Sequence, residues 1–472
     1  MNSKKMGLGS AVSVCVGLIV ATSCLLSLGL GTGLAGKGFI AAMFIVVILN
    51  ILLALSFREL HGLMPEAEGG LGQYTLAGLG PVPSIVSNLS AYVITNMLAG
   101  SVELAMCGLV IQETFLKGVP VLVISLSLLA FLTLVNYLGV DIFAKIQNLT
   151  VIALIGSLIL LGVISAFKLG VGTPIAPGAQ TPPVVTGFSG ILSLTALAFW
   201  MFIGIEFVIP VSKDLKNPKR DVPLAMILGV CLLFIVQSLL STGMRNYVSL
   251  EELRSSSMPH IIFAERVMGK AGSYWMGLIT ILAGVSTINT VLGSVTRILS
   301  GMADAGLMPS YFSKKNKSGT PTPGLFLMTG VISFILVSGI ANYSGLTNFL
   351  LAASCFWLTS YILVNLTVLV LRRRYPNAPG RDKRFTLWGI PQIICMVGDV
   401  YMIWHIAEGD ARIFIYKIYF ILLIITLLFA FFWVKIVKKA DAFRPVSLDE
   451  INDVKLENQD EKGQTSPSLI VN

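Results

Sequence analysis

The stretch LAFWMFIGIEFVIPVSKDLKNPKRDVP, Leu197–Pro223, decides how this chain folds. Membrane-grade apolar sequence on both sides of Ile203-Gly204-Ile205 runs straight into Glu206. A carboxylate at mid-span costs roughly 2.5–3.5 kcal/mol even on a mild insertion scale, so it is seldom kept for packing alone. Gly204 lacks a Cβ and lets the helix come apart beside it. Lys213, Lys216, Lys219 and Arg220 follow, and such a basic cluster marks the cytoplasmic side of a membrane. The reading is a helix interrupted at half depth with an acid at the interruption. That is a place to bind something small and polar.

The surrounding composition fits this. The 472 residues are 55% hydrophobic and only 12% charged, with a mean hydropathy of +0.84, which excludes a soluble globular protein. Apolar runs of about 18 residues or more recur along nearly the whole chain, the pattern of a polytopic membrane protein. The net charge of +9 is dispersed over short loops, so nucleic acid is not an expected partner. Cys15, Cys24, Cys107, Cys231, Cys355 and Cys395 all sit in apolar segments and read as small core residues. No cleavable signal peptide is expected, because the first apolar run reads as a membrane helix. His61, His260 and His405 are scattered, with no HExxH and no paired cysteines, so neither an enzyme nor a metal or other cofactor is expected.

The chain reads as an all-α integral membrane protein of twelve spans, near 8–34, 38–57, 82–112, 119–138, 146–168, 188–212, 223–243, 272–300, 323–341, 345–371, 388–407 and 413–437. With residues 1–7 inside, the inner segments hold twenty Lys and Arg residues against nine outside, so both termini are expected in the cytoplasm. The expected location is the plasma membrane. Arg58–Tyr74 reads as a polar loop, and residues 438–472 read as a disordered tail.

Some transporters are built from two inverted five-helix repeats, each opening with a helix unwound at the midplane. Five spans before the sixth lies a second irregular one. Ile19-Val20-Ala21-Thr22-Ser23-Cys24 is a small, polar patch, followed by Gly29, Gly31 and Gly33. Close helix packing through small residues is the alternative reading of that span. Two half-helix N-termini facing one cavity would offer free N–H groups to a carboxylate. Freed carbonyls would take an ammonium group, so the expected ligand is a small amino acid or amine.

FWMFIGIE (Phe199–Glu206) followed by KDLKNPKRDVP (Lys213–Pro223) is similar to the sixth-span signature of the amino acid–polyamine–organocation (APC) superfamily. Further resemblance lies in Glu66–Tyr74 with Gly69-Gly70, in Asn136–Gly139 with Gln147 and Thr150, in RILSGMADAGLMP (Arg297–Pro309) and in LRRRYPNAPGRDKRF (Leu371–Phe385). The resemblance covers roughly residues 7–437. It implies a LeuT-type 5+5 inverted repeat with broken helices 1 and 6, a ten-helix core over 8–371, and helices 11 and 12 over 372–437. It also implies exchange or proton-linked import of amino acids or amines, an antiporter or permease in either case. By position, N–H groups of Ala21, Thr22 and Ser23 would take the substrate carboxylate. Carbonyls of Ile19, Trp200 and Ile203 beside Gly204 would take the amine, Glu206 would couple or gate, and Trp200 and Phe202 would close over the ligand.

This chain departs from the family pattern in places. Ala21 and Ser23 stand where relatives usually carry glycines, and Ala153 stands where many carry a lysine. Ala99 and Val291, which the resemblance would place nearest the substrate side chain, are small and apolar. Glu103, one turn beyond Ala99, is either a ligand for a second ammonium, which would favour a diamine or polyamine antiporter, or a structural carboxyl. A nutrient sensor with the transporter fold is a more remote reading. Proton or counter-substrate coupling, sodium coupling through Ser286, Thr287, Asn289 and Thr290, and a homodimer are left open by the residues alone.

Overall fold

The computed structural model describes residues 5–65, 67, 70–139, 142–176, 178–339, 345–381 and 387–452, with the side chains of residues 18, 142–151, 210 and 211 left aside. Gln147, Thr150, Glu66, Gly69, Lys383, Arg384 and the acidic residues beyond Asn452 therefore lie outside the described side chains. Among the described residues the architecture is helical. Two isolated β-bridges are present, Met6 with Leu215 and Lys315 with Pro321.

Among the described residues, seven helices are long and apolar enough to cross a membrane: Gly38–Leu63, Pro81–Thr114, Pro218–Tyr247, Lys270–Asp304, Leu346–Arg374, Leu387–Trp404 and Gly409–Val437. Two further apolar pairs are bent, one by 70° in the first span and one by 41° in the sixth. Val121–Tyr137, Ile152–Ala166 and Thr322–Val337 are shorter apolar helices. The last helix is only 17% buried in its most apolar window, so its Ile421, Ile424, Ile425 and Leu428 form an outward, lipid-facing surface.

The first span is α-helical over Leu8–Ile19 and again over Thr22–Ala35. Between them Val20 (ψ 91°) and Ala21 (ψ 165°) are extended. Gly29 and Gly33, in the second half, are contact points. A Cβ on Gly29 would lie 2.2 Å from Pro259, and one on Gly33 would lie 2.5 Å from the backbone of Arg254. Small residues thus do let the short helices Leu250–Ser255 and Pro259–Met268 press against this half-span. The first of these short helices begins with Ser249 capping the Glu252 N–H at 3.1 Å, within an S-x-x-E pattern.

The sixth span is assembled from short pieces. Gly187–Ser193 and Thr195–Phe199 are α-helical, Trp200–Phe202 is 3₁₀, Ile203 is extended, and Ile205–Asp214 is 3₁₀. Gly204 joins the last two at φ +99°, in the left-handed region.

Two regions differ from the sequence reading. The expected loop from Arg58 is helical to Leu63, and Leu71–Leu79 forms a further helix that turns at Gly80 (φ +94°) into Pro81. The tail expected to be disordered from 438 is ordered to Asn452 and lies along this turn. The Val82 N–H donates to the Ala442 carbonyl at 3.1 Å, the Val446 N–H to Leu76 at 3.3 Å, and Leu448 and Ile451 are buried. The tail carbonyl satisfies a helix N-terminal N–H that would otherwise be orphaned. On the same end of the molecule, Glu59 binds Arg372 (2.6 Å) and Arg381 (3.0 Å), clamping Gly38–Leu63 to the end of Leu346–Arg374.

Gly204→Ala tests the sixth-span break. The new Cβ would lie 2.9 Å from the Phe207 ring at a φ that L-residues resist, costing about 1–3 kcal/mol. Gly301→Ala, with nothing within 4 Å of its Cβ, is expected to be neutral or stabilising by up to about 1 kcal/mol. Thermal unfolding of the two purified variants in detergent compares them; equal melting temperatures would reject the left-handed hinge.

Candidate functional site

The two breaks meet at one cavity of about 90 Å³. Ile19 and Ala21 reach its wall from the first break, and Trp200 and Ile203 from the sixth. Ala99 and Glu103 line it from the third span and Val291 from the eighth. Thr22, Ser23, Phe202, Gly204 and Glu206 are not on the wall.

Thr22 and Ser23 are set back because their amides already have a partner. The Thr22 N–H donates to Glu103 Oε2 at 3.1 Å and the Ser23 N–H to Oε1 at 3.0 Å. The carboxylate of Glu103 thus occupies the half-helix N-terminus where a substrate carboxylate was expected. The position is electrostatically apt, since the freed amides carry the positive end of the helix dipole. Hydrogen bonds to a charged group contribute about 1.5–3 kcal/mol each, which helps offset burial of a side chain only 2% exposed. The same half-helix start is held from two more directions. Trp200 Nε1 donates to Ser23 Oγ at 2.9 Å, and Thr22 Oγ1 donates to the Thr280 carbonyl at 3.1 Å.

The carbonyls expected to take an amine are partly engaged as well. That of Ile19 accepts from the Ala21 N–H at 3.0 Å and from Cys24 Sγ at 3.1 Å. Cys24 Sγ also lies 3.9 Å from the Trp200 carbonyl. It therefore spans both breaks.

Glu206 faces away from the cavity into the tenth span, where it is 1% exposed. Trp357 Nε1 donates to its Oε1 at 3.2 Å and the Tyr361 hydroxyl to its Oε2 at 2.8 Å. The Tyr361 oxygen in turn lies 3.4 Å from the Gly204 N–H, which donates to it. Acid, phenol and hinge amide form one closed loop. A buried carboxylate needs such donors to be tolerated. Glu206 is thereby the joint between the broken sixth span and Leu346–Arg374.

The aromatic residues at the cavity differ from those expected. Phe202 is fully buried and away from the wall, while Phe207 lines it together with Tyr92 and Trp357. The three ring centroids stand 6.0 Å from one another. The extended Ile203 and left-handed Gly204 lie between the two phenylalanines and reset which side chains point inward. Tyr92, Asn96, Ala99, Gly100 and Glu103 share the cavity face of the third span, at helical spacing. Its backbone is π-helical over Leu89–Ile94, a widening often found at functional sites. Tyr92 and Asn96 escaped the sequence reading, as did Trp357 and Tyr361. Each pair is spaced i, i+4 within an apolar span, and that spacing was the available signal.

On the eighth span the Thr290 hydroxyl bonds back to Ser286 at 2.9 Å and that of Ser294 to Thr290 at 2.6 Å. Asn289 Oδ1 accepts from Asn136 Nδ2 at 2.8 Å. Among the described residues, no group of three or more His, Cys, Asp or Glu side chains is placed to hold a metal ion.

Glu206→Gln and Tyr361→Phe are expected to destabilise the protein non-additively. The double variant should lose less than the sum of the singles by about 0.5–3 kcal/mol. Unfolding of all four proteins in detergent measures the cycle, and strict additivity would mean that carboxylate and phenol do not meet.

The comparisons with known proteins agree with this architecture. A family model described as amino acid permease matches residues 6–445. The chain is 25% identical over 403 residues to the branched-chain amino acid permease BcaP of Bacillus subtilis, covering 80% of this chain and 82% of that protein. It is 22% identical over 405 residues to the putrescine transporter PotE of Escherichia coli, covering 82% and 88%. It is 27% identical over 345 residues to an arginine/ornithine antiporter of Latilactobacillus sakei, covering 68% and 71%. The family and these relatives are transporters, not enzymes. With matching sequence along nearly its whole length and several membrane-spanning helices, this chain belongs to the amino acid permease family of the APC superfamily and is a multi-pass membrane protein.

Proposed function

We propose that this protein is a secondary transporter that carries amino acids or related amines across the plasma membrane by alternating access. The substrate lies between the breaks of the first and sixth spans. Twelve spans, a five-plus-five inverted repeat and cytoplasmic termini belong to the same reading. The observation that carries it is the shared cavity, reached by Ile19 and Ala21 from one break and by Trp200 and Ile203 from the other. Backbone interrupted at membrane depth is tolerated where it lines a cavity, and in transporters that cavity holds the cargo.

A second feature supports the inverted arrangement. The Met6 N–H donates to the Asp214 carbonyl at 2.7 Å, and the Lys216 N–H donates to the Met6 carbonyl at 2.9 Å. The start of the first span therefore sits beside the end of the sixth, so the two broken spans run antiparallel, as the inversion requires. The relatives named for branched-chain amino acids, putrescine, and arginine/ornithine exchange bracket the cargo class.

In this reading Glu206 is the coupling or gating carboxylate. Moving the sixth span against the tenth must break its bonds to Trp357 and Tyr361. A carboxylate that exchanges those partners for a proton during the cycle would link transport to pH.

Purified protein in liposomes should take up at least one member of a labelled panel of amino acids and amines, faster with counter-substrate inside. No uptake of any member would overturn the proposal. Glu206→Gln should flatten the pH dependence of uptake, and an unaltered profile would remove Glu206 from coupling. Replacing sodium with choline tests the candidate ligands Ser286, Thr287, Asn289 and Thr290; uptake is expected to be unchanged, since a hydroxyl bonding back to its own helix, as that of Thr290 does, is the commoner arrangement.

A further inference from the structure

Resting on the transporter reading, we infer that the cavity selects an organic ammonium ion lacking a carboxylate, a monoamine with an apolar body, and that Glu103 is the residue that sets this choice.

A zwitterionic amino acid needs a place for its own carboxylate. In a site of this kind the place is the N-terminus of the second half of the first span, whose amides are free at the break. Here the Thr22 and Ser23 amides are bound by the two oxygens of Glu103. A substrate carboxylate would have to displace them, and would then sit beside a like charge in a buried site. Glu103 is the one charged side chain on the cavity wall among the described residues, so no cationic side chain there offers a second anchor for an anion, and the other polar groups of the wall, such as Asn96, Ser286 and Thr287, are neutral.

The same wall suits a cation. An ionised carboxylate has about four acceptor positions, and the two amides take one on each oxygen, leaving acceptor capacity at the cavity. Tyr92, Phe207 and Trp357 present three rings with 6.0 Å between centroids, and Trp200 adds a fourth aromatic side chain to the lining. Aromatic faces around a small space attract an ammonium group. The remainder of the wall includes Ala99, Val291, Val295 and Ile298, which fit an apolar tail. A diamine is less well served, because Glu206 is turned into its own pair of donors and leaves no second carboxylate on the wall.

The test uses matched pairs that differ only by the carboxylate: isoamylamine against leucine, and phenethylamine against phenylalanine. Equilibrium binding to the purified full-length protein, with uptake into liposomes in parallel, is measured for wild type, Glu103→Ala and Glu103→Gln. Wild type is expected to bind the amine of each pair tighter than its amino acid by about tenfold or more. Both substitutions should lower that ratio by a similar factor, with Glu103→Ala gaining amino acid binding as its amides become free. A wild-type preference for the amino acid overturns the inference even if neither variant folds. So does a ratio that is unchanged in folded variants. Uptake without amine preference would sink this inference and leave the transporter reading standing. Amine binding without uptake would do the reverse, and failure of folded wild type to bind any of the four would sink both.

Discussion

Lipid supplies no hydrogen bonds, so every backbone group released by a break in a membrane helix must find a partner inside the protein. That constraint organises this molecule. The first span releases amides at Thr22 and Ser23, and Glu103 of the third span takes them. The sixth span turns at Gly204, and the Tyr361 hydroxyl of the tenth span takes its amide while donating to Glu206. Cys24 reaches toward carbonyls on both sides. Each break is thus stabilised by a side chain from a different span, and the breaks persist because the third and tenth spans stand where they do.

The two acids divide the work. Glu103 faces the cavity and caps the half-helix of the first span; Glu206 faces the tenth span and bonds the sixth to it. Both are nearly inaccessible to solvent, which makes their partners decisive, since a buried carboxylate without donors is expensive. Trp357 belongs to both neighbourhoods. Its indole N–H holds Glu206 while its ring forms part of the cavity's aromatic wall. A ligand that moved this ring would therefore disturb the joint directly, one short physical path from occupancy of the cavity to release of the sixth span.

Away from the site, a buried ion-pair cluster and the tail tie one end of the molecule together. Glu59 with Arg372 and Arg381 closes the ends of two spans together, and the tail through Asn452 covers the turn at Gly80. The helices Leu250–Ser255 and Pro259–Met268 lean on Gly33 and Gly29 of the half-span that Glu103 caps. That half-span is packed tightly along its length and held at its start by Glu103, Trp200 and the Thr280 carbonyl.

Apolar run length, the mid-span acid and the small polar patch near Thr22 were enough to read a polytopic helical protein with two interrupted spans, because both the cost of burying charge and the length of a crossing are local properties of the chain. The cavity residues Ile19, Ala21, Ala99, Trp200, Ile203 and Val291 could be named in advance from motif position. Direction was another matter. Which way Phe202 and Glu206 point depends on the one left-handed residue between them, Gly204, and what binds the Thr22 and Ser23 amides depends on the approach of a helix eighty residues away in sequence. Glu103 stayed ambiguous in the sequence for the same reason: a carboxylate's role is set by the donors that meet it, and those donors are brought to it only by packing.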